Sequence, residues 1–282
     1  MLGTLIVSCP DRPGLVAALA QFLTAHGANI LHAEQHRDTT SGLFFQRMQF
    51  EMARMDPDRT RLNRELGELA RQYEMTWRLH ASGDFTRVAI FVSKMDHCLY
   101  DLILRQKEGE LRCEIPLVVS NHPDLQRVAE YFGIEFRCIP VPEGNHAAVE
   151  PQQFELLQSR NIGLVVLARY MQILSPQFVR KYSERIINIH HSFLPAFAGG
   201  RPYHQAMERG VKLIGATSHY VTEQLDEGPI IEQDVVRVSH REEIKDLVAR
   251  GRDVEKTVLA RAVKAHLEHR VVVCGRKTIV FS

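Results

Sequence analysis

Asn188, His190 and Asp226 are the residues of this chain best suited by type to act on a carbonyl group. An amide N–H can hold the oxyanion of a tetrahedral intermediate. An imidazole can move a proton near neutral pH. A carboxylate can orient the imidazole or a water and favour the imidazolium. Asn188 and His190 stand two apart in Arg185-Ile186-Ile187-Asn188-Ile189-His190-His191-Ser192-Phe193-Leu194-Pro195, an apolar run that reads as a buried strand stopping at the proline. On extended backbone these two side chains share a face. They would lie at the carboxyl end of the strand, where open α/β sheets place their ligands. Residue types alone make a weak signal, because a histidine at a strand end is more often structural than catalytic and sequence distance says nothing of proximity.

The surrounding elements have to position these groups. The chain has 282 residues, 45% apolar and 24% charged, which predicts about two domains with a core each. A net charge of +1 gives no case for nucleic acid or for an anionic membrane. No apolar run approaches the roughly 20 residues that span a bilayer. The first residues, Met1 to Ser8, lack a charged leader and read as a strand rather than a signal peptide. Cys9, Cys98, Cys113, Cys138 and Cys274 are scattered, odd in number and without a CxxC, which fits reduced thiols in the cytoplasm.

Residues 1–82 read as β-α-β-β-α-β, a ferredoxin-like order. A strand over 4–9 is followed by Asp11 as helix N-cap, a helix with Leu15, Leu19, Phe22 and Leu23 on one side, and Gly27 as its stop. Asn29–Asp38 and 43–52 pair across a Thr39-Thr40-Ser41-Gly42 turn. Asp58 is expected to cap a second helix through Leu62, Leu66, Leu69 and Tyr73, and 75–80 closes as a strand. Ala81-Ser82-Gly83-Asp84 is the expected joint. From 85 to 282, apolar strands alternate with helices, predicting an α/β, doubly wound, mostly parallel sheet covered on both faces. A helix is expected over 123–132, a strand–loop–strand over 213–231, a long helix through Val254, Val258, Ala262 and Leu267, and a closing hairpin around Gly275-Arg276-Lys277. No GxGxxG or GxxxxGK[ST] follows any strand, which argues against dinucleotide and P-loop sites. Gly199-Gly200-Arg201-Pro202 reads as a loop.

Cys9-Pro10-Asp11-Arg12-Pro13-Gly14-Leu15-Val16 and Gly27-Ala28-Asn29-Ile30 resemble an ACT domain, a module that senses small molecules. That resemblance implies an amino-acid effector such as glycine or methionine, held by Asp11, Arg12, Gly14 and Asn29 around a helix N-terminus. It also implies a homo-oligomer. In the second domain, Asn188-Ile189-His190-His191-Ser192-Phe193-Leu194-Pro195, His219-Tyr220-Val221-Thr222-Glu223-Gln224-Leu225-Asp226-Glu227-Gly228-Pro229 and Arg169-Tyr170-Met171-Gln172-Ile173-Leu174-Ser175-Pro176 resemble, in the same order, the formyltransferase family that uses 10-formyltetrahydrofolate. An ACT domain ahead of it, with His-His-Ser after the asparagine, is similar to the formyltetrahydrofolate deformylases.

The resemblance implies hydrolysis of 10-formyltetrahydrofolate to tetrahydrofolate and formate, with formate feeding purine synthesis and no cofactor or metal. It makes Asn188, His190 and Asp226 catalytic and His219 a brace for Asp226. Met171, Gln172, Ile173, Leu174, Val221, Thr222 and Glu223 would form the folate pocket. The glycinamide-ribonucleotide transferases of the family typically carry proline where His191 stands, so His191 marks water as acceptor or simply supports its loop. Rival readings are an amine-accepting formyl transferase, for which no glycine-rich phosphate loop stands at Val92-Ser93-Lys94-Met95-Asp96-His97, a metal-dependent deformylase, for which there is no HExxH, and a regulator built on a dead catalytic domain.

Overall fold

Alternating apolar residues build β1 (Leu2–Pro10), which sends Leu5, Val7 and Cys9 to one face. The helical period then takes over in α1 (Leu15–Ala25), where Leu15, Leu19 and Leu23 return to the same core. The computed structural model describes residues 2–51, 59–81, 83, 85–142, 145–196 and 202–282. They divide into two units, Met1–Phe85 with Phe281–Ser282, and Thr86–Val280.

The first unit continues with β2 (Asn29–Asp38), β3 (Leu43–Glu51), α2 (Arg59–Tyr73) and β4 (Thr76–Ala81), the expected βαββαβ order. Its antiparallel sheet runs β2-β3-β1-β4, with Leu5 opposite both Met48 and Leu79. Phe44, Met48 and Phe50 of β3 and Leu66 and Ala70 of α2 complete the core. Burying a side chain of this size contributes about 1.5–3 kcal/mol. One expectation fails. Asp11 does not cap α1; the N-cap is Gly14, in the left-handed region at φ 91°, and no side chain among the described residues caps the helix. The reason is that Asp11 is engaged elsewhere. Its N–H donates to the Gly42 carbonyl at 2.9 Å and its carboxylate pairs with Arg37 at 2.6 Å. Asp58, Ser82, Asp84, Gly199, Gly200 and Arg201 lie outside the described residues.

The second unit is a seven-stranded sheet. Its elements in chain order are β5 (Thr86–Val92), α3 (His97–Lys107), β6 (Cys113–Ser120), α4 (Gln126–Tyr131), β7 (Glu135–Cys138), α5 (Glu150–Ser159), β8 (Leu164–Leu167), α6 (Pro176–Lys181), β9 (Ile186–His190), α7 (Pro202–Glu208), β10 (Leu213–Tyr220), β11 (Ile230–Arg237) and α8 (Ile244–Leu267). The spatial order is β11-β10-β9-β8-β5-β6-β7. The last five in that order are parallel, and β10 runs antiparallel to both β9 and β11. Alternation along β5 explains the continuous apolar run. Val88, Ile90 and Val92 pack toward α3 and α8, while Ala89 and Phe91 pack toward Leu157 of α5 and Phe178 of α6. The chain leaves β5 toward β6 and β7, then crosses back to β8 on the other side. That makes β5 and β8 the switch point, whose carboxyl ends open a ligand crevice. The expected closing hairpin is β12 (Val271–Cys274) with β13 (Lys277–Val280).

Two boundaries differ from expectation. α4 starts at Gln126 rather than near Pro123. β9 ends at His190, well short of Pro195. Thr217 is the last partner of β9 on β10, and its side chain then takes over from the ladder. Its hydroxyl donates to Ser192 O at 2.9 Å and accepts from the Leu194 N–H at 3.0 Å. The chain therefore turns out of the sheet immediately after His190. Among the described residues, no helix is long and apolar enough to cross a membrane.

Candidate active site

Asn188 and His190 do project from the end of β9, and the antiparallel neighbour β10 sets His219 directly opposite Asn188. His219 is 2% exposed, and its Nδ1–H donates to the Tyr220 carbonyl at 2.9 Å. Its Nε2 must then accept, and the Asn188 amide donates to it at 3.2 Å. Burial holds the His219 imidazole below its ordinary pKa, with the bond to Tyr220 opposing, so the neutral tautomer fits. The contact fixes which end of the Asn188 amide is nitrogen and leaves the second N–H free to donate. His219 stands 3.9 Å from Asp226, so its closer tie is to Asn188.

Asp226 arrives from the loop between β10 and β11 in a left-handed conformation, φ 57°. The loop is pinched at its base, where the Tyr220 N–H bonds the Pro229 carbonyl at 3.0 Å. Gly228 makes that pinch possible, since a Cβ there would overlap the Tyr220 carbonyl oxygen. The fold-back sets Asp226 Oδ1 3.3 Å from His190 Nδ1. The bond from His190 holds the Asp226 carboxyl below the usual carboxylate range, with burial working against it. With Nδ1 committed to Asp226, the other ring nitrogen matters more. His190 Nε2 is buried and has no hydrogen-bond partner among the described residues. A buried polar atom without a partner costs about 1–3 kcal/mol, which a bound carbonyl or amine nitrogen would offset.

The segments expected to line the folate pocket are the loop after β8 and the start of the loop after β10. Leu174 and Val221 pack against one apolar cluster with Tyr170, Phe178 and Ile186. Met171 and Ile173 are not core. They are 58% and 56% exposed on the loop after β8, whose Met171 N–H is tied to Ser93 Oγ at 3.0 Å. Gln172 is half-buried beside them. Thr222 donates to the Gln224 carbonyl, and Glu223 pairs with Arg180 at 3.0 Å. An apolar wall open to solvent beside backbone polar groups suits a flat heterocycle.

Sequence reading assigned nothing to the cluster behind His191. Glu255 of α8 is 1% exposed and receives His97 Nε2 at 2.8 Å and the Tyr203 hydroxyl at 2.7 Å, with Arg169 Nε at 3.6 Å. Burial opposes the Glu255 charge, but these three partners together hold its carboxyl below the usual range. The donor atoms of His97, Cys98 and Glu255 lie within 4.8 Å of one another, a spacing a metal could use. The Glu255 charge is already matched by the Arg169 guanidinium, however, and burial followed by the Glu255 charge pushes the Cys98 thiol well up. The cluster therefore reads as a charge-balanced hydrogen-bond network. A cavity of about 30 Å³ borders His191 and Tyr203, room for one water.

Comparison with known proteins places this geometry. The formyl transferase family profile matches residues 86–263, and the ACT domain profile matches residues 3–63. A Synechocystis protein named formyltetrahydrofolate deformylase is 54% identical over 282 residues, covering 100% of this chain and 99% of its own. This chain belongs to the formyltetrahydrofolate deformylase family. The crystal structure of a formyltetrahydrofolate deformylase from Pseudomonas syringae superposes with a TM-score of 0.97 at 47% identity, covering 100% of this chain and 94% of that one. A glycinamide ribonucleotide transformylase from Symbiobacterium toebii is more distant, with a TM-score of 0.67 at 31% identity over 72% of this chain and 100% of its own.

In this deformylase-family chain the effector residues named from sequence are all placed, though most side chains there are occupied. Asp11 pairs with Arg37, Arg12 with Glu74 at 2.7 Å, and the Asn29 amide donates to Glu51 at 3.3 Å. The residues that sequence reading missed, Arg169, Tyr203, His97 and Glu255, come from four separate stretches. The one local signal was Arg169 itself, a charged residue at the end of an otherwise apolar strand.

Proposed function

We propose that the chain hydrolyses 10-formyltetrahydrofolate to tetrahydrofolate and formate, with Asn188, His190 and Asp226 as the groups that touch the reacting atoms. The observation that carries this assignment is the buried His190 Nε2, which has no partner among the described residues and is backed by Asp226 and flanked by the Asn188 amide. The folate's flat ring system lies against Met171, Gln172, Ile173 and Leu174 on one side and Val221, Thr222 and Glu223 on the other. Water adds to the formyl carbon. Its proton moves toward Asp226, whose fixed charge orients the water and stabilises protonated His190. The carbonyl oxygen becomes an oxyanion between the Asn188 N–H and His190 Nε2–H. Collapse breaks the C–N bond, imidazolium His190 gives its Nε2 proton to N10, and the proton taken up by Asp226 restores the imidazolium as the product leaves. These side chains supply the acid–base and oxyanion groups themselves, so the step calls on no cofactor.

The ACT domain takes a small-molecule effector, and we assign it an amino acid such as glycine or methionine, held chiefly by backbone donors where α1 begins. ACT-like sheets commonly associate, so the working form is a homo-oligomer. The free thiols of all five cysteines suit a reducing cytoplasm.

The test is formate release from 10-formyltetrahydrofolate with no amine added. Stoichiometric formate is expected. Release that depends on an added amine, with the formyl group found on that amine, would establish transfer instead.

A further inference from the structure

We propose that Arg169, paired with Glu255 behind the site, is a positioning residue of the hydrolysis, and that with Tyr203 and His97 it sets His191 against His190 as the partner of a water. This rests on the hydrolytic reading above.

Nothing in ordinary packing calls for Arg169 to be as it is. It follows β8 with φ 62°, a conformation that side-chain-bearing residues rarely adopt and that persists where the surrounding structure holds it. Its Nε and Nη1 are buried without a hydrogen-bond partner among the described residues, and its nearest counter-charge is Glu255 at 3.6 Å. Four elements spend sequence on this one carboxylate. α8 supplies Glu255, the first residue of α3 supplies His97, α7 supplies Tyr203 and the loop after β8 supplies Arg169. α8 even carries a notch for the purpose. Gly251 lies one turn before Glu255, and a Cβ there would overlap the Tyr203 hydroxyl.

The network meets the active site at His191. The His191 ring centroid is 6.1 Å from that of Tyr203 and 5.2 Å from that of His190. The charged and titratable groups around it are Arg169 from the loop after β8, Glu255 from α8, Tyr203 from α7, His190 from β9 and Asp226 from the loop after β10. Burial, and then the Arg169 guanidinium, bring the His191 imidazole down to about 4, with Glu255 pulling the other way. His191 is therefore neutral near pH 7. That matters to its neighbour, since His190 has to carry positive charge during the reaction and a second imidazolium 5.2 Å away would oppose it. A neutral imidazole also keeps one donor and one acceptor nitrogen. Among the described residues neither makes a protein hydrogen bond, so both are free for water.

The experiment measures formate release by the full-length enzyme between pH 3 and 9, together with folate KM and melting temperature. Wild type must first release formate without an amine. Failure there overturns the hydrolytic reading itself, whatever Arg169 does. Arg169→Met is expected to lower kcat on the order of 10–100-fold with KM within about twofold. It should also move the acid limb of the profile to higher pH by about one unit, because Glu255 then favours the His191 charge unopposed. Glu255→Gln should move the limb the other way, and Arg169→Lys should keep it at the wild-type position. Adding His191→Asn to Arg169→Met should cancel the shift. Limbs that stay put, or that move in the same direction in Arg169→Met and Glu255→Gln, overturn the proposal. If Arg169→Met does not fold, Arg169→Lys and Glu255→Gln decide it, and a limb no lower in the second than in the first overturns it.

Discussion

Two turns in this molecule follow the end of a strand and carry polar groups named from sequence, and they satisfy those groups in opposite ways. After β1, Asp11 pairs with an Arg37 that is 65% exposed, and Arg12 pairs with a Glu74 that is 69% exposed. At the end of β9, His190 is 7% exposed, Asp226 facing it from the loop after β10 is 14% exposed, and the outer nitrogen of His190 has no partner among the described residues. Side chains of the first turn are satisfied within the protein and wet. The second turn holds polar groups dry and incomplete. Dry, incomplete groups do chemistry because their field is strong and their missing partner is the substrate. Satisfied, wet side chains are poor recognition elements, so the proposed effector binding at the first turn would fall to the backbone.

The largest effect should come from removing the charge that organises the dry site. Asp226→Asn is expected to lower formate release by about 100- to 10,000-fold while folate binding, followed by fluorescence titration, persists. Near-native turnover would mean that Asp226 is not the organising charge. The same residue also links site and stability to pH. Its carboxyl titrates lower folded than unfolded, so its stabilising contribution is complete above the unfolded value of about 3.9 and is lost as pH falls through the lower folded value. The Asp226→Asn protein should therefore lose less stability than wild type below about pH 4, read by melts across that range. Asn188→Ala comes next, with a kcat loss of about 100- to 1,000-fold and little change in KM, as expected for an oxyanion donor. A loss confined to KM would place Asn188 in ground-state binding instead.

How much of this could be read beforehand depends on whether the cause was local. Asn188 and His190 share a strand, so their common face follows from the two-residue period. The βαββαβ and doubly wound patterns follow from where the apolar period switches. Asp226 could be linked to His190 only through its motif, because its reach depends on a loop pinched at Gly228, which is a property of tertiary contact. The end of β9 was misplaced for a similar reason. Proline was the visible stop signal, but the Thr217 side chain on the neighbouring strand ends the ladder at His190. Asp11 looked like a helix cap by type, yet Arg37, distant in sequence, claims its carboxylate. The Glu255 network was invisible because one carboxylate on an amphipathic helix gives no sign of burial.

The pinch itself supplies an intermediate test. Gly228→Ala places a methyl group against the Tyr220 carbonyl and has to shift the loop that carries Asp226. A stability loss of about 1–3 kcal/mol is expected from such overpacking. A kcat loss of about 10-fold should accompany it, because a small misplacement of an oriented group is costly. Stability loss with wild-type kcat would show that Asp226 reaches His190 without the pinch, and the contrast between the two turns would then rest on burial alone.

The smallest effect should come from the wet turn, and it tests the other half of the contrast. Arg12→Ala removes an ion pair whose partners are 35% and 69% exposed, and pairs of this kind contribute about 0–1 kcal/mol. Formate release without effector should stay within about twofold of wild type, since Arg12 and the reacting groups belong to separate units. Amino-acid binding, measured by calorimetry with glycine and with methionine, should also survive. The donors at the start of α1 are backbone N–H groups, which a side-chain truncation leaves in place. If Arg12→Ala abolished amino-acid binding while leaving the fold intact, the Arg12 guanidinium would have to leave Glu74 for the ligand. The two turns would then share one principle after all: a polar side chain whose true partner is the small molecule.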